Sequence, residues 1–259
     1  MARRISATAQ TNISRSTTHK VLKKHKFHPF KVSCHQELFF EDFNRRINFC
    51  ELFTDRIAQD PNLLRHVCFS DEATFFLNGH VNRQNVRYWA EANPHLLFED
   101  HTQYPQKLNV WCGIFGDKIV GPFFIDGNLN ETEVNLLLEP IYDENKIVYQ
   151  HDGCPAHFSA DVTAYLNLNY PGRWIGRGGP ILWPPRSPDL APLDFFLWGY
   201  LKSAVFKSKP QSLVELRQAI VDACASITPA TLEKVRQEFE NRLYYCLQQN
   251  GRHFEHLTE

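Results

Sequence analysis

Apolar and polar positions change period near residue 66, and that change divides the chain. Before it the spacing is helical: from Gln36 to about Gln59, Leu38, Phe39, Phe43, Ile47, Phe49, Leu52, Phe53 and Ile57 recur at three- to four-residue intervals, the mark of a helix with one buried face. A shorter helix is predicted over Ile13 to Lys26, started by Ser14 or Ser16, with Val21 and Leu22 inward and Arg15, Lys20, Lys23, Lys24 and Lys26 outward. The preceding ARRISATAQTN resembles the end of another short helix and a turn at Gln10 to Asn12. Together these segments predict a partial helix-turn-helix whose recognition helix comes second. Pro29 breaks the pattern, so Phe27 to Lys31 is expected to be an extended linker.

After residue 66 the pattern turns to strands. HVCFSDEATFFL reads as a short apolar strand reaching a carboxylate, NVRYWAE alternates like a second strand, and KLNVWCGIFGDKIVGPFFIDG predicts two strands around Gly116-Asp117. KIVYQHDG is another buried strand ending in an Asp. Helices are expected from Asn130 to Tyr142, from Pro155 to Asn169, from Ala191 to Phe206, and near 212 to 226 and 229 to 249, with an extended, Pro-broken RGGPILWPPRSP between the second and third. Strands interleaved with helices predict the α/β class, a sheet with helices on its faces.

Composition adds little to this and charge adds more. Hydrophobic residues at 43% and charged residues at 22% are ordinary globular values and exclude wholesale disorder. No apolar run approaches the roughly 18 residues of a membrane span, and no signal-peptide pattern opens the chain, so an intracellular protein is expected. Seven scattered cysteines without a C-x-x-C pair predict reduced, mostly buried thiols. The net charge of -1 conceals an asymmetry: residues 1 to 31 carry eight Lys or Arg and no acid, leaving 20 basic against 29 acidic residues in the remainder. A basic arm on an acidic body is the charge pattern of a nucleic-acid-contacting head on a separate functional domain. On that helix Arg15, Ser16, Thr17 and Lys20 are the candidates for base and phosphate contacts, with Lys23, Lys24 and Lys26 mainly on phosphate.

Three acids end hydrophobic elements: Asp71 in CFSDEATF, Asp152 in YQHDGCPAH and Asp194 in SPDLAPLDFFLWGYL. Converging carboxylates are hard oxygen donors that can hold two Mg²⁺ or Mn²⁺ ions for phosphoryl transfer; singly, an Asp before a helix or after a strand is more often an ordinary cap or turn residue. Glu72 is sent away from Asp71 by strand alternation. His151 should point away from Asp152, His157 could touch phosphate or cap a helix, and His253 and His256 have the spacing of metal ligands without carboxylate or thiolate partners. Trp111, Trp183 and Trp198 lie in apolar runs and are assigned to the core.

The blocks FSDEATFFLNGHVNRQNVRYW, HDGCPAH and WPPRSPDLAPLDFFLWGYLK, in this order, resemble the catalytic domain of mariner-like transposases, in the superfamily of acidic-triad transposases and integrases. The resemblance runs from the basic helix to the FEHL ending. It implies a ribonuclease H-like mixed sheet flanked by helices, with residues 1–31 a partial helix-turn-helix, 32–64 a linker and helix, and 65–259 the catalytic domain. It implies too that Asp71, Asp152 and Asp194 bind two Mg²⁺ or Mn²⁺ ions, that Asp189 shapes the SPDL turn with its use as third ligand the runner-up, and that the protein acts in the nucleus as a homodimer on transposon ends and target DNA. Two departures stand out. The 41 residues between Asp152 and Asp194 exceed the spacing of the best-known mariner-like enzymes, an excess assigned to a Gly-rich loop in NYPGRWIGRGGP, and the chain begins inside what resembles the second of two DNA-binding units. The leading expectation is a transposase that cuts and joins DNA. A truncated or domesticated DNA-binding protein and a nuclease without strand transfer are the competing classes.

Overall fold

A computed structural model describes residues 14–27, 36–77, 106–125, 147–154 and 159–258. The expected helix before Gln10, the strand NVRYWAE, the helix over Asn130 to Tyr142, Cys34 and His157 lie outside the described residues, as does the side chain of Arg15. The chain divides into two compact units, 1–36 and 37–259. The first contains helix α1 (Arg15–Lys24), which starts where Ser14 accepts a hydrogen bond from the Thr17 N–H at 3.2 Å. That bond satisfies one of the donors a helix start leaves open.

The second unit opens with α2 (Phe40–Gln59) and the short α3 (Leu63–His66), followed by strands β1 (Val67–Phe76), β2 (Lys107–Phe115), β3 (Lys118–Ile125) and β4 (Val148–Gln150). Helix α4 (Ala160–Asn169), strands β5 (Trp174–Gly176) and β6 (Ile181–Leu182), and helices α5 (Trp198–Lys207), α6 (Leu213–Ala225) and α7 (Pro229–Gln248) complete it. Strand order is β3-β2-β1-β4-β5-β6, antiparallel on the β3-β2-β1 side and parallel from β1 through β6. The expected hairpin at Gly116-Asp117 is present, and Gly116 takes the positive φ of 58° that its turn needs.

Alternation along the strands sorts side chains onto two faces. Val67, Phe69 and Phe75 of β1, Val110, Cys112 and Ile114 of β2 and Ile175 of β5 form one core with Phe49 and Phe53 of α2, Leu201 of α5, Ile220 of α6 and Phe239 of α7. Cys68, Trp111, Tyr149 and Trp174 pack on the other face against Leu166 of α4. Fully burying each large apolar side chain contributes about 1.5–3 kcal/mol, which is why the sheet cannot slip by one residue without exchanging its faces.

One expectation needs correction. The NYPGRWIGRGGP segment is not simply a Gly-rich loop: it supplies β5 and extends the sheet, with Trp174 buried and Gly179 lying where a Cβ would stand 2.8 Å from the Trp174 ring. Helix α2 packs within the larger unit. Two ion pairs tie it there. Arg46 donates to both carboxylate oxygens of Asp189 at 2.7 and 2.5 Å, and Arg186 to both of Asp42 at 2.6 and 2.5 Å. Arg46 also donates to the Gly251 carbonyl at 2.8 Å. Gly251 has φ 76°, and a Cβ there would meet the Phe43 carbonyl oxygen at 2.4 Å. Gly251→Ala is therefore expected to cost about 3 kcal/mol, from left-handed strain and a backbone clash, seen as a lower urea midpoint at unchanged m-value.

Candidate active site

Parallel register brings two of the acids together. Phe69 of β1 pairs with Gln150 of β4 at the end of their ladder, so Asp71 and Asp152 each lie two residues beyond the last pair that the two strands share. Neighbouring strands run about 4.8 Å apart. Asp71 itself does not end a strand, as the sequence led us to expect: it is the fifth of ten residues in β1 and pairs with Cys112 of β2. The strand continues because β2 keeps pairing to Phe76, whereas β4 stops at Gln150. The carboxylate thus faces the notch where the parallel neighbour ends. Glu72 pairs with Trp111, and alternation turns it to the opposite face as expected.

The third acid arrives from the far side of the notch. Asp194 lies in a π-helical turn, Leu193–Leu197, that precedes α5 and packs on β1 and β2. In this wide turn the Trp198 N–H donates to the Leu193 carbonyl; single π turns occur mostly at functional sites. The three acids feel one another. Burial pushes the Asp71 carboxyl up to about 7, with the charge of Asp194 adding to it and the Trp198 N–H opposing it. Loss of surrounding water and the charge of Asp152 push Asp194 up to about 6, although its tip is exposed and Lys202 pulls the other way. Asp152 accepts the Cys154 backbone N–H at 2.9 Å, which holds the turn after β4.

Acids that resist ionisation because of burial first and a neighbouring like charge second gain from a cation beside them, and their oxygens are the hard donors that Mg²⁺ and Mn²⁺ prefer. The residues present therefore fit such ions. A different set, Asp189, His253 and Glu255, brings its ligand atoms within 4.8 Å of one another. Asp189 there is 6% exposed and gives both oxygens to the Arg46 guanidinium, whose charge repels a cation. The same pair accounts for Asp189 as the residue that shapes the SPDL turn: Arg242 donates to its carbonyl at 3.0 Å, and Arg46 also reaches the Ser187 hydroxyl at 2.8 Å.

The other candidates fall as follows. His151 is buried between Tyr149 and Trp174, on the face away from the acids. His256 lies within a short 3-10 turn, Glu255–Leu257, and His253 before it, so the two do not share a helix face. Ser16 and Thr17 both place hydroxyls against the Ser14 cap, at 2.9 and 2.8 Å, while Lys20, Lys23, Lys24 and Lys26 are exposed. Lys23 and Lys24 occupy the last turn of α1, where the helix dipole favours positive charge. Trp111, Trp183 and Trp198 are buried as expected. Sequence reasoning missed the second role of Trp198: its Nε1–H donates to Asp71 Oδ2 at 2.7 Å. Only its place four residues after Asp194 could have pointed to it. The free cysteines among the described residues are buried except Cys154, and no helix there is long and apolar enough to cross a membrane.

No protein-family model matches the chain. It is 27% identical over 196 residues to the transposable element Tc3 transposase of Caenorhabditis elegans, a match covering 71% of this chain and 56% of that protein. The chain thus matches little more than half the length of this curated relative. Among solved structures it is similar to the Mos1 transposase paired-end complex with left transposon end, at TM-score 0.75 and 17% identity over 98% of this chain and 75% of that one. The catalytic domain of Mos1 mariner transposase matches at TM-score 0.64 and 18% identity, over 86% of this chain and all of that one. These likenesses bear out the resemblance to mariner-like transposases, and the sheet with its flanking helices is the ribonuclease H-like fold.

Proposed function

We propose that the chain carries the catalytic centre of a mariner-like DNA transposase, in which Asp71, Asp152 and Asp194 hold two Mg²⁺ or Mn²⁺ ions. What supports this reading is the electrostatic coupling of Asp194 to both Asp71 and Asp152, which lie two residues past the end of the β1–β4 ladder. The Mos1 complex named above supplies transposon-end DNA as the substrate class, and target DNA is proposed beside it from the resemblance. When bound, such ions would supply Lewis-acid stabilisation for an in-line displacement at phosphorus.

The chain's own residues do the rest. Asp71 is set within β1, and a strand holds positions more rigidly than a loop does; Asp152 follows in the turn directly after β4, held by the Cys154 N–H. Asp194 closes the site from the π turn, and Lys202, whose charge acts on Asp194, adds positive potential for a DNA phosphate. Helix α1, in the separate first unit, is proposed to contact DNA through Arg15, Ser16, Thr17, Lys20, Lys23, Lys24 and Lys26. A homodimer acting in the nucleus completes this reading.

The test is nicking of supercoiled plasmid by the purified protein with Mn²⁺ or Mg²⁺, beside Asp71→Asn, Asp152→Asn and Asp194→Asn. Glu72→Gln, on the opposite face of the sheet, is the control; Asp189→Asn is unsuitable because Asp189 is paired inside the core. Metal-dependent nicking that survives in the control and vanishes in the three variants is the expected result. A folded protein that binds DNA and never nicks it would instead be a DNA-binding relic of the fold, while nicking without joining would mark a nuclease.

A further inference from the structure

We propose that Trp198 is a positioning residue of this site, its indole N–H fixing the orientation in which Asp71 offers its carboxylate to a divalent cation. The inference rests on the metal-site reading above.

Trp198 is only 6% exposed and packs edge-on against Phe75, with ring centroids 6.3 Å apart. The ring cannot swing, so the direction of its N–H is set by the core. That N–H meets Asp71 Oδ2 at 2.7 Å, a short distance for nitrogen and oxygen and typical of a bond to a charged acceptor. Indole donates and cannot accept; it therefore holds the ionised form of the acid and withholds one lone-pair direction from any other partner.

Position along the chain gives Trp198 a second connection. Its backbone N–H closes the π turn that carries Asp194 by donating to Leu193, while its side chain holds Asp71, 127 residues away in sequence. One residue thus ties the strand acid to the helix acid. Hydrogen-bond partners behind metal ligands act in this manner, and losing one typically weakens metal affinity 10- to 100-fold.

The experiment measures Mn²⁺ binding directly, by the electron paramagnetic resonance signal of the free ion, in the absence of DNA. Trp198→Phe keeps an aromatic ring in the core and removes the N–H. A second variant, in which Trp198 alone is replaced by benzothienylalanine, keeps the shape of indole with sulfur in place of N–H, and decides the question if the Phe variant folds poorly. Both are expected to bind Mn²⁺ roughly 10- to 100-fold more weakly, and their plasmid nicking should return toward wild type at saturating Mn²⁺. Wild-type affinity in the benzothienylalanine protein, with affinity lost in Asp71→Asn, overturns the role of Trp198 and leaves the metal site standing. Equal Mn²⁺ binding by wild type and Asp71→Asn refutes the metal site itself, and the proposal with it.

Discussion

Arg46→Met lowers the free energy of unfolding by about 3–5 kcal/mol, the usual penalty for removing one partner of a buried ion pair. Arg46 is wholly buried and Asp189 nearly so. Methionine fills much of the same volume, so packing is largely kept. What is lost is the compensation: a carboxylate remains in the core with no cation beside it, and the Gly251 carbonyl and Ser187 hydroxyl lose their donor. The loss falls on the junction of α2, the SPDL turn and the chain after α7. Urea unfolding should show a lower midpoint in Arg46→Met, and the double variant Arg46→Met, Asp189→Leu should recover much of the difference, because replacing both charges by apolar groups is often near neutral. A single variant as stable as wild type would mean that the pair contributes nothing to holding α2.

Asp71→Asn is expected to act in opposite directions on stability and on catalysis. In the unfolded chain an Asp loses its proton near 3.8, whereas in the fold Asp71 keeps it up to about 7, through burial first and the charge of Asp194 second. The folded protein therefore binds more protons between these values, and its metal-free stability falls as pH rises from about 4 to about 7. At 1.36 kcal/mol per unit the shift corresponds to about 4 kcal/mol, which screening through the exposed Asp194 reduces to about 2. Asparagine removes the charge and still accepts from Trp198. In EDTA at about pH 8 the variant should melt about 4–8 °C above wild type. Adding Mn²⁺ should raise the melting temperature of wild type and barely move the variant. Nicking should fall on the order of 10³-fold, matching a loss of several kcal/mol of transition-state stabilisation. Equal melting temperatures without metal would show that Asp71 bears no electrostatic strain.

Much of this molecule is local and could be read from residue order alone. Ser14 caps α1 because a hydroxyl at the residue before a helix reaches the backbone N–H three residues on wherever the helix sits. The apolar spacing of α2 and the alternation of β1 to β3 are set by whether each side chain meets core or water, a property that repeats every three to four or every two residues. The order of Asp71, Asp152 and Asp194, each in its sequence block, was likewise visible.

Tertiary structure decided what depends on partners far along the chain. Asp71 looked like a strand end because a short apolar run reaches a carboxylate there, yet β2 continues the ladder past it while β4 stops at Gln150. Strands β5 and β6, of three and two residues, are too short to show a period and exist because a parallel neighbour was already in place. Asp189 and Asp194 are both acids in one SPDLAPLD segment; the first is neutralised by Arg46, 143 residues away, and the second faces Asp152. Periodicity records whether a side chain is buried, and it carries no record of which distant charge meets it there.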